Sequence, residues 1–477
     1  MPETWGQTTD MTAQRIGFVV GLAAFVLTLA LPAPAGMPPL AWPVAGLVVW
    51  MAAWWMTEAL PLSVTAMLPF IVLPLLGVAN ANKTASAYYS PIMFLFLGGA
   101  FLGLAIERTG LHRRLARAIM AHAGDTRFGL LLSVMSATAL ISMFISNTST
   151  AFIMMPMALA MLVAGGVKDG ETAGMAGALP MGVAFAATLG GFGTLVGTPT
   201  NAIAVGLLRE SIGLQITFAG WMMYGVPLVL VAVPLAALIV ARVHGLGGDA
   251  FDPVAARGGI AGESTWSVPE KRLLPVFLLA VLAWVTQPLT EPLFPKGGLT
   301  DGTIAAIAGI ALFLIPDGTG RKLIVWHEAN RAPWGVLLMF GGGLSLAMGM
   351  SASGLAEWMG QMLLPLRAVP LPVVALILVG FVILVTEFAS NVAAASGIMP
   401  VVAALVTALG ADPILLALPA ALAASWGFML PAGTGPNAIA WATGHLALPR
   451  MLCAGLLLDL AGVVLIVATV WGVAALV

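Results

Sequence analysis

Charge is scarce in this chain: of 477 residues only 8% are Asp, Glu, Lys or Arg, against about 25% in soluble domains. A formal net charge of -1 leaves no basic field for nucleic acid. Cys453 is the single cysteine, which excludes an intramolecular disulfide and leaves the redox compartment unreadable. The five histidines, His112, His122, His244, His327 and His445, are scattered, so no transition-metal site emerges. Neither HExxH nor a nucleophile elbow is present, which removes support for a membrane enzyme. The glycine-rich run Gly191–Gly197 lacks the Lys-Ser/Thr of a phosphate-binding loop, which argues against ATP hydrolysis.

What is abundant is apolar: 60% of the residues are hydrophobic and the mean hydropathy is +1.03. The composition indicates an all-α integral membrane protein whose surroundings are the lipid bilayer. The first run, 16–31, follows a segment holding Glu3 and Asp10 rather than a basic one, and reads as a retained span. Further runs near 41–57, 62–79, 90–107, 176–208, 221–241, 273–288, 302–316, 334–353, 412–444 and 451–475 bring the count to eleven transmembrane helices. Two longer stretches, 128–165 and 369–408, are interrupted by polar tips and read as re-entrant hairpins. The spans at 176–208 and 412–444 are broken by Gly-Thr-Pro-type loops. Non-helical backbone at membrane depth is tolerated only where it is buried in protein or lines a wet cavity.

These interruptions come in pairs. Ser146-Asn147-Thr148 is echoed by Ser390-Asn391-Val392, and Gly197-Thr198-Pro199-Thr200-Asn201 by Gly433-Thr434-Gly435-Pro436-Asn437. Ser146 and Ser390, Asn147 and Asn391, Pro156 and Pro400, and Gly110 and Gly354 are all 244 residues apart; Thr198 and Thr434, and Asn201 and Asn437, are 236 apart. A duplicated unit explains this shared register. The expected organisation is an N-terminal region and first span (1–36), a first repeat (37–245, hairpin tip 146–150, broken-helix loop 197–201), a cytoplasmic linker (246–271) and a second repeat (272–477, tip 390–394, loop 433–437).

With the N-terminus in the cytoplasm and eleven alternating spans, 15 of the 19 Lys and Arg residues fall inside; only Lys83, Arg209, Lys296 and Arg367 fall outside. The C-terminus is then outside, and the hairpins open to opposite faces, so the repeats are inverted. Inverted repeats with broken helices are the architecture of secondary transporters. Leu111–His122, with arginines on one side and apolar residues on the other, suits a helix in the cytoplasmic interface.

Ser, Asn and Thr are helix-capping residues, so each tip can end one half-helix and begin the next. Amide N–H groups and the positive dipole end then face an anion, while carbonyls of the preceding half-helix face a small cation. None of the four motifs contains Lys, Arg or His. A bound divalent anion therefore needs co-bound cations, which points to sodium. Ser142 and Thr386, again 244 apart, place a hydroxyl one turn before each tip.

Thr57-Glu58-Ala59-Leu60-Pro61, the paired Ser-Asn tips and the paired Gly-Thr-Pro loops together resemble the divalent-anion/sodium symporter family of di- and tricarboxylate transporters, over nearly the whole chain. The resemblance implies a homodimer in the cytoplasmic (inner) membrane that carries citric-acid-cycle-type carboxylates by an elevator motion. It implies sodium at Ser142, Ser146, Asn147 and Gly197, and again at Thr386, Ala389, Asn391 and Gly433. Substrate contacts fall to Asn147, Thr148, Thr198, Pro199, Asn391, Val392 and Thr434. The sequence departs from the commonest pattern at Val392, where a threonine is frequent, and at Gly435, where the loop reads Gly-Thr-Gly-Pro rather than Gly-Thr-Pro. A sodium-independent exchanger, a sulfate carrier and a channel stay open as alternatives.

Outside the motifs, Glu387 is an intramembrane carboxylate whose counterpart is Met143, Glu58 suits a helix boundary, and Asp459 lies in the last span. Gly98-Gly99 and Gly342-Gly343 suit close helix packing.

Overall fold

The computed structural model describes residues 10–121, 124–168, 170–246, 251–258 and 265–476; Glu3, His122 and parts of the 246–271 linker lie outside them. Among the described residues the architecture is all-helical. Ten helices among the described residues are long and apolar enough to cross a membrane. Their outward faces carry residues such as Leu230, Leu279, Leu460 and Val464, all more than half exposed, as lipid contact requires.

The interruptions fall where the polar residues do. In the first hairpin, helix Arg127–Ser142 ends and Asn147–Ala164 begins after Ser146. In the second, Leu371–Phe388 is followed by Asn391–Leu409. The first broken span consists of Met175–Gly190, a 3₁₀ turn Gly191–Gly193, an extended Thr194 and then Pro199–Ile212. The second consists of Pro413–Ala423, a non-helical stretch and Gly435–Trp441. Proline accounts for an extra break: the run expected at 62–79 is divided into Leu62–Thr65 and Leu68–Leu75, with Pro69 at the start of the second piece and Pro74 inside it. Asp301–Leu314 and Ala41–Thr57 are likewise shorter than a full span, whereas three of the four hairpin arms reach full length.

The order of elements repeats. Ile92–Thr109 and Trp334–Ala352 each end at a left-handed glycine, Gly110 (φ 81°) and Gly354 (φ 79°), and each is followed by a short helix, Leu111–Met120 or Leu355–Leu363. Each series closes on a 27-residue helix, Phe218–His244 and Leu448–Ala474. Glu58 is the one non-glycine residue at positive φ among the described residues, and it caps helix Ala41–Thr57.

The chain divides into two compact units. The first comprises Met1–Ser90, Ile203–Gln215 and Pro333–Ala424. Its core gathers Leu47, Met51, Trp55, Leu73, Met339 and Met350. Here Gly342 lies against Ala66: a Cβ would stand 2.4 Å from the Ala66 carbonyl oxygen, whereas one on Gly343 would find nothing nearer than 3.5 Å. Overpacking costs about 1–3 kcal/mol even where side chains can yield, and a backbone carbonyl yields less. Gly342→Val should therefore lower the unfolding midpoint in detergent markedly, with Gly343→Ala close to wild type; equal midpoints for the two would contradict this packing.

The second unit comprises Pro91–Ala202, Ile216–Ala332 and Ser425–Val477. Aromatic rings knit its broken spans together: Phe192 meets Trp426 at 5.3 Å and Phe185 meets Phe428 at 5.1 Å. In it Gly98 touches Ala305 as Gly342 touches Ala66, with a Cβ 2.3 Å from the Ala305 carbonyl oxygen.

Asp317, fully buried, receives hydrogen bonds from Arg108 and from Thr319. Burial works to raise its pKa, but these donors prevail and hold the carboxyl well below the usual carboxylate range. A depressed folded-state pKa gives stability that is present above about pH 4 and lost only as pH falls below it. Asp317→Asn should thus lower the thermal midpoint by a similar margin at pH 6 and pH 8. A deficit confined to one of these pH values would rule the account out.

Candidate functional site

In the second unit the Ser142 hydroxyl lies on the last turn of its helix, 3.0 Å from Asn147 Oδ1, and also donates to the Ala187 carbonyl. In the first unit the Thr386 hydroxyl lies 2.8 Å from Asn391 Oδ1 and 2.8 Å from the Ala424 carbonyl oxygen. Each cluster therefore holds three oxygens from a hydroxyl, a side-chain amide and a main-chain carbonyl, with one hydroxyl proton among them. Such a set, without a cationic side chain, suits a small hard cation. Ser142 and Thr386 are fully buried, as are their hydrogen bonds to the two carbonyls, whereas the Asn147 and Asn391 amides are half-buried.

Ala187 and Ala424, 237 residues apart, complete the clusters without any side-chain signal of their own. Their separation matches neither the 244 of the tips nor the 236 of the broken-helix loops, so the repeat register did not point to them. The other residues expected at the cation sites are placed as follows. Ser146 caps helix Asn147–Ala164, its hydroxyl accepting from Ser149 N at 3.3 Å. Ser390 occupies the same position but makes no side-chain cap bond, which differs from the capping expected at both tips. Gly197 N donates to Thr194 Oγ1 at 3.1 Å. Gly191 abuts the amide: a Cβ there would stand 2.5 Å from Asn147 Oδ1. Ala389 is buried and extended at the end of Leu371–Phe388.

Of the residues expected to face substrate, Thr148 is exposed and lies beside Gly435, where a Cβ would stand 2.3 Å from Thr148 Oγ1 and 3.1 Å from its Cγ2. Thr198 is buried, and Pro199 opens the following helix. Thr434 is extended and accepts from Asn437 N at 3.3 Å, ordering the start of Gly435–Trp441. In the first unit Asn391 is half-buried, and Val392 packs against the apolar core around Met339.

Two residues had been noted only as parts of the motifs. Asn201 Nδ2 donates to the Gly191 and Thr194 carbonyls, both at 2.8 Å. Asn437 Nδ2 donates to the carbonyls of Leu430 at 3.1 Å and Phe428 at 3.4 Å. Both asparagines are fully buried, and each braces the non-helical stretch before it. Backbone that leaves the helix must have its polar groups satisfied in this way.

Glu387 is buried next to Thr386 in sequence, and Asp459 is buried on Leu448–Ala474. Among the described residues no three His, Cys, Asp or Glu residues gather as a metal site.

A family model for the sodium:sulfate symporter transmembrane region matches residues 12–477. The sodium-dependent dicarboxylate transporter SdcS of Staphylococcus saprophyticus is 39% identical over 475 residues, covering 96% of this chain and 91% of that protein. SdcS of Staphylococcus aureus is 37% identical over 477 residues with the same coverage. Among solved structures, the YdaH transporter of Alcanivorax borkumensis, described as having an unusual topology, is alike with a TM-score of 0.61 over 97% of this chain and 98% of that one. At 16% identity this likeness concerns the fold alone.

Proposed function

The chain belongs to the sodium:sulfate symporter transmembrane-region family, and from that premise we propose that it is a secondary transporter moving a dicarboxylate dianion together with sodium ions. The observation that carries this reading is the pair of three-oxygen clusters at Ser142 and Thr386. A dianion held among tips that lack Lys, Arg and His needs its charge balanced, and cations in these clusters supply the balance. Thr148, Thr198, Pro199 and Thr434 then face the carboxylates from one set of loops, and Asn391 and Val392 from the other, with Asn147 and Asn391 shared between anion and cation. The dicarboxylate is preferred to sulfate because relatives near 40% identity carry that name.

The proposed topology keeps the N-terminus in the cytoplasm and the C-terminus outside, with the repeats inverted in the inner membrane. It is supported by hydrogen bonds that join segments assigned to one face. Gly174 N donates to His244 O at 2.9 Å, Arg450 donates to Thr172 O at 2.7 Å, and His445 Nδ1 lies 2.8 Å from Glu171 O, all between segments assigned to the cytoplasmic side. At the outer face Phe218 N donates to Asp301 Oδ2 at 2.7 Å. A homodimer working by an elevator motion completes the proposal.

Reconstituted in liposomes, the protein should take up labelled succinate saturably when an inward sodium gradient is present, with unlabelled succinate competing better than sulfate. Uptake that requires internal dicarboxylate and ignores sodium would identify an exchanger instead. Stronger competition by sulfate would reassign the anion.

A further inference from the structure

Outside the two clusters, the first unit contains a cavity of about 690 Å³ whose wall includes Lys83, Glu210, Glu357 and Arg367. This volume falls in the range of small-molecule sites, roughly 300–1,000 Å³. Four charged side chains in one cavity is unusual for a chain with 8% charged residues. Lys83 and Arg367 are moreover two of the four cations that the span count puts outside. Both are exposed. Arg367 is anchored, donating to Ala408 O from Nε at 3.0 Å and Nη2 at 2.7 Å, which holds a cation at the rim. Lys83, Glu210 and Glu357 form no ion pair among the described residues, so none of these charges is cancelled by contact with another.

The cavity also has a direction. Its wall includes Ala408, near the C-terminal end of Asn391–Leu409, and reaches inward to Pro400. Pro400 is nine residues from Asn391, about 14 Å along the helix axis. One helix thus presents the cavity at its outer end and the amide of the second cluster at its inner end.

We propose that this cavity is an outer capture site, in which Lys83 and Arg367 concentrate the dicarboxylate anion and Glu210 and Glu357 its accompanying cations before either reaches the helix tips. The inference rests on the transport reading above. Opposite charges held apart in one cavity attract both co-substrates without binding either tightly, and such steering acts mainly on capture and weakens with salt.

The test is uptake of labelled succinate by intact cells that lack their own dicarboxylate uptake, so that substrate meets the outer face. Lys83→Gln and Arg367→Gln should each raise the succinate KM about threefold to tenfold. Vmax should fall by less than KM rises, and the difference from wild type should shrink in 0.3 M potassium chloride. Glu210→Gln and Glu357→Gln should lower the succinate KM and raise the half-saturating sodium concentration. Arg367→Lys, which keeps the charge and loses the forked hold on Ala408, should stay near wild type. An unchanged KM in both Lys83→Gln and Arg367→Gln overturns the proposal, and so does an Arg367→Lys variant that behaves like Arg367→Gln. Absence of saturable succinate uptake by the wild type would instead overturn the transport reading itself.

Discussion

Thr386→Val should raise the half-saturating sodium concentration for uptake at least tenfold, and Ser142→Ala should do the same from the other half of the chain. Each change removes one of three oxygens in a buried cluster. A polar contact to a charged partner is worth about 1.5–3 kcal/mol, which corresponds to roughly 10- to 150-fold in affinity. Valine has nearly the shape of threonine, so the fold at Thr386 is conserved and the loss is chemical. Asn147→Ala and Asn391→Ala should be more severe, because each amide belongs to a cluster and, on the proposed reading, also to the tip that meets the anion; uptake about 100-fold below wild type is expected. Sodium titrations of succinate uptake provide the check. If Thr386→Val followed the wild-type sodium curve, the cluster at Thr386 would not be a cation site.

The second large effect concerns Gly435, which stands where the first loop has Pro199. A methyl group there would lie 2.3 Å from Thr148 Oγ1, 3.1 Å from Cγ2 and 3.2 Å from Cβ. Rotating the threonine does not clear all three atoms, so Gly435→Ala must displace the tip or the loop. Gly435→Ala should raise the dicarboxylate KM more than tenfold while shifting the sodium curve less. The decisive measurement is a double-mutant cycle. In a Thr148→Ala background the same glycine change should cost far less, since the clash is with the threonine side chain. Additive effects would show that the two residues act independently.

Much of this was legible in one dimension, because duplication leaves a constant offset. Residues 244 and 236 apart located the tips and broken helices, and the helix ends at Ser142 and Phe388 follow them. What stayed hidden has no side-chain signature. The carbonyls of Ala187 and Ala424 enter the clusters through backbone that any residue supplies. The bracing by Asn201 and Asn437 depends on how a loop folds back, although both residues were in view. Gly435 could be seen as a departure from the Gly-Thr-Pro pattern, but its partner Thr148 lies 287 positions earlier in the chain, and only packing joins them. Counting apolar residues also overestimated span length where proline or a short helix intervened, as at Pro74. Val392, conspicuous as a lost hydroxyl, turns out to pack against the apolar core of its unit. A change of substrate preference in Val392→Thr would therefore come together with some cost in packing.

The single proton shared within each three-oxygen cluster has a bearing on the transport cycle. On the reading of each cluster as a cation site, the Ser142 or Thr386 hydroxyl has one proton for two neighbouring oxygens and satisfies one of them at a time when no ion is bound. An arriving ion must turn that proton aside, giving up a bond worth about 0.5–1.5 kcal/mol. This loss would weaken loading by up to about tenfold, while the unloaded cluster keeps one internal hydrogen bond. A carrier that has released its cargo would then return with its lone pairs partly compensated, and weak ion binding would be the counterpart of a fast reset.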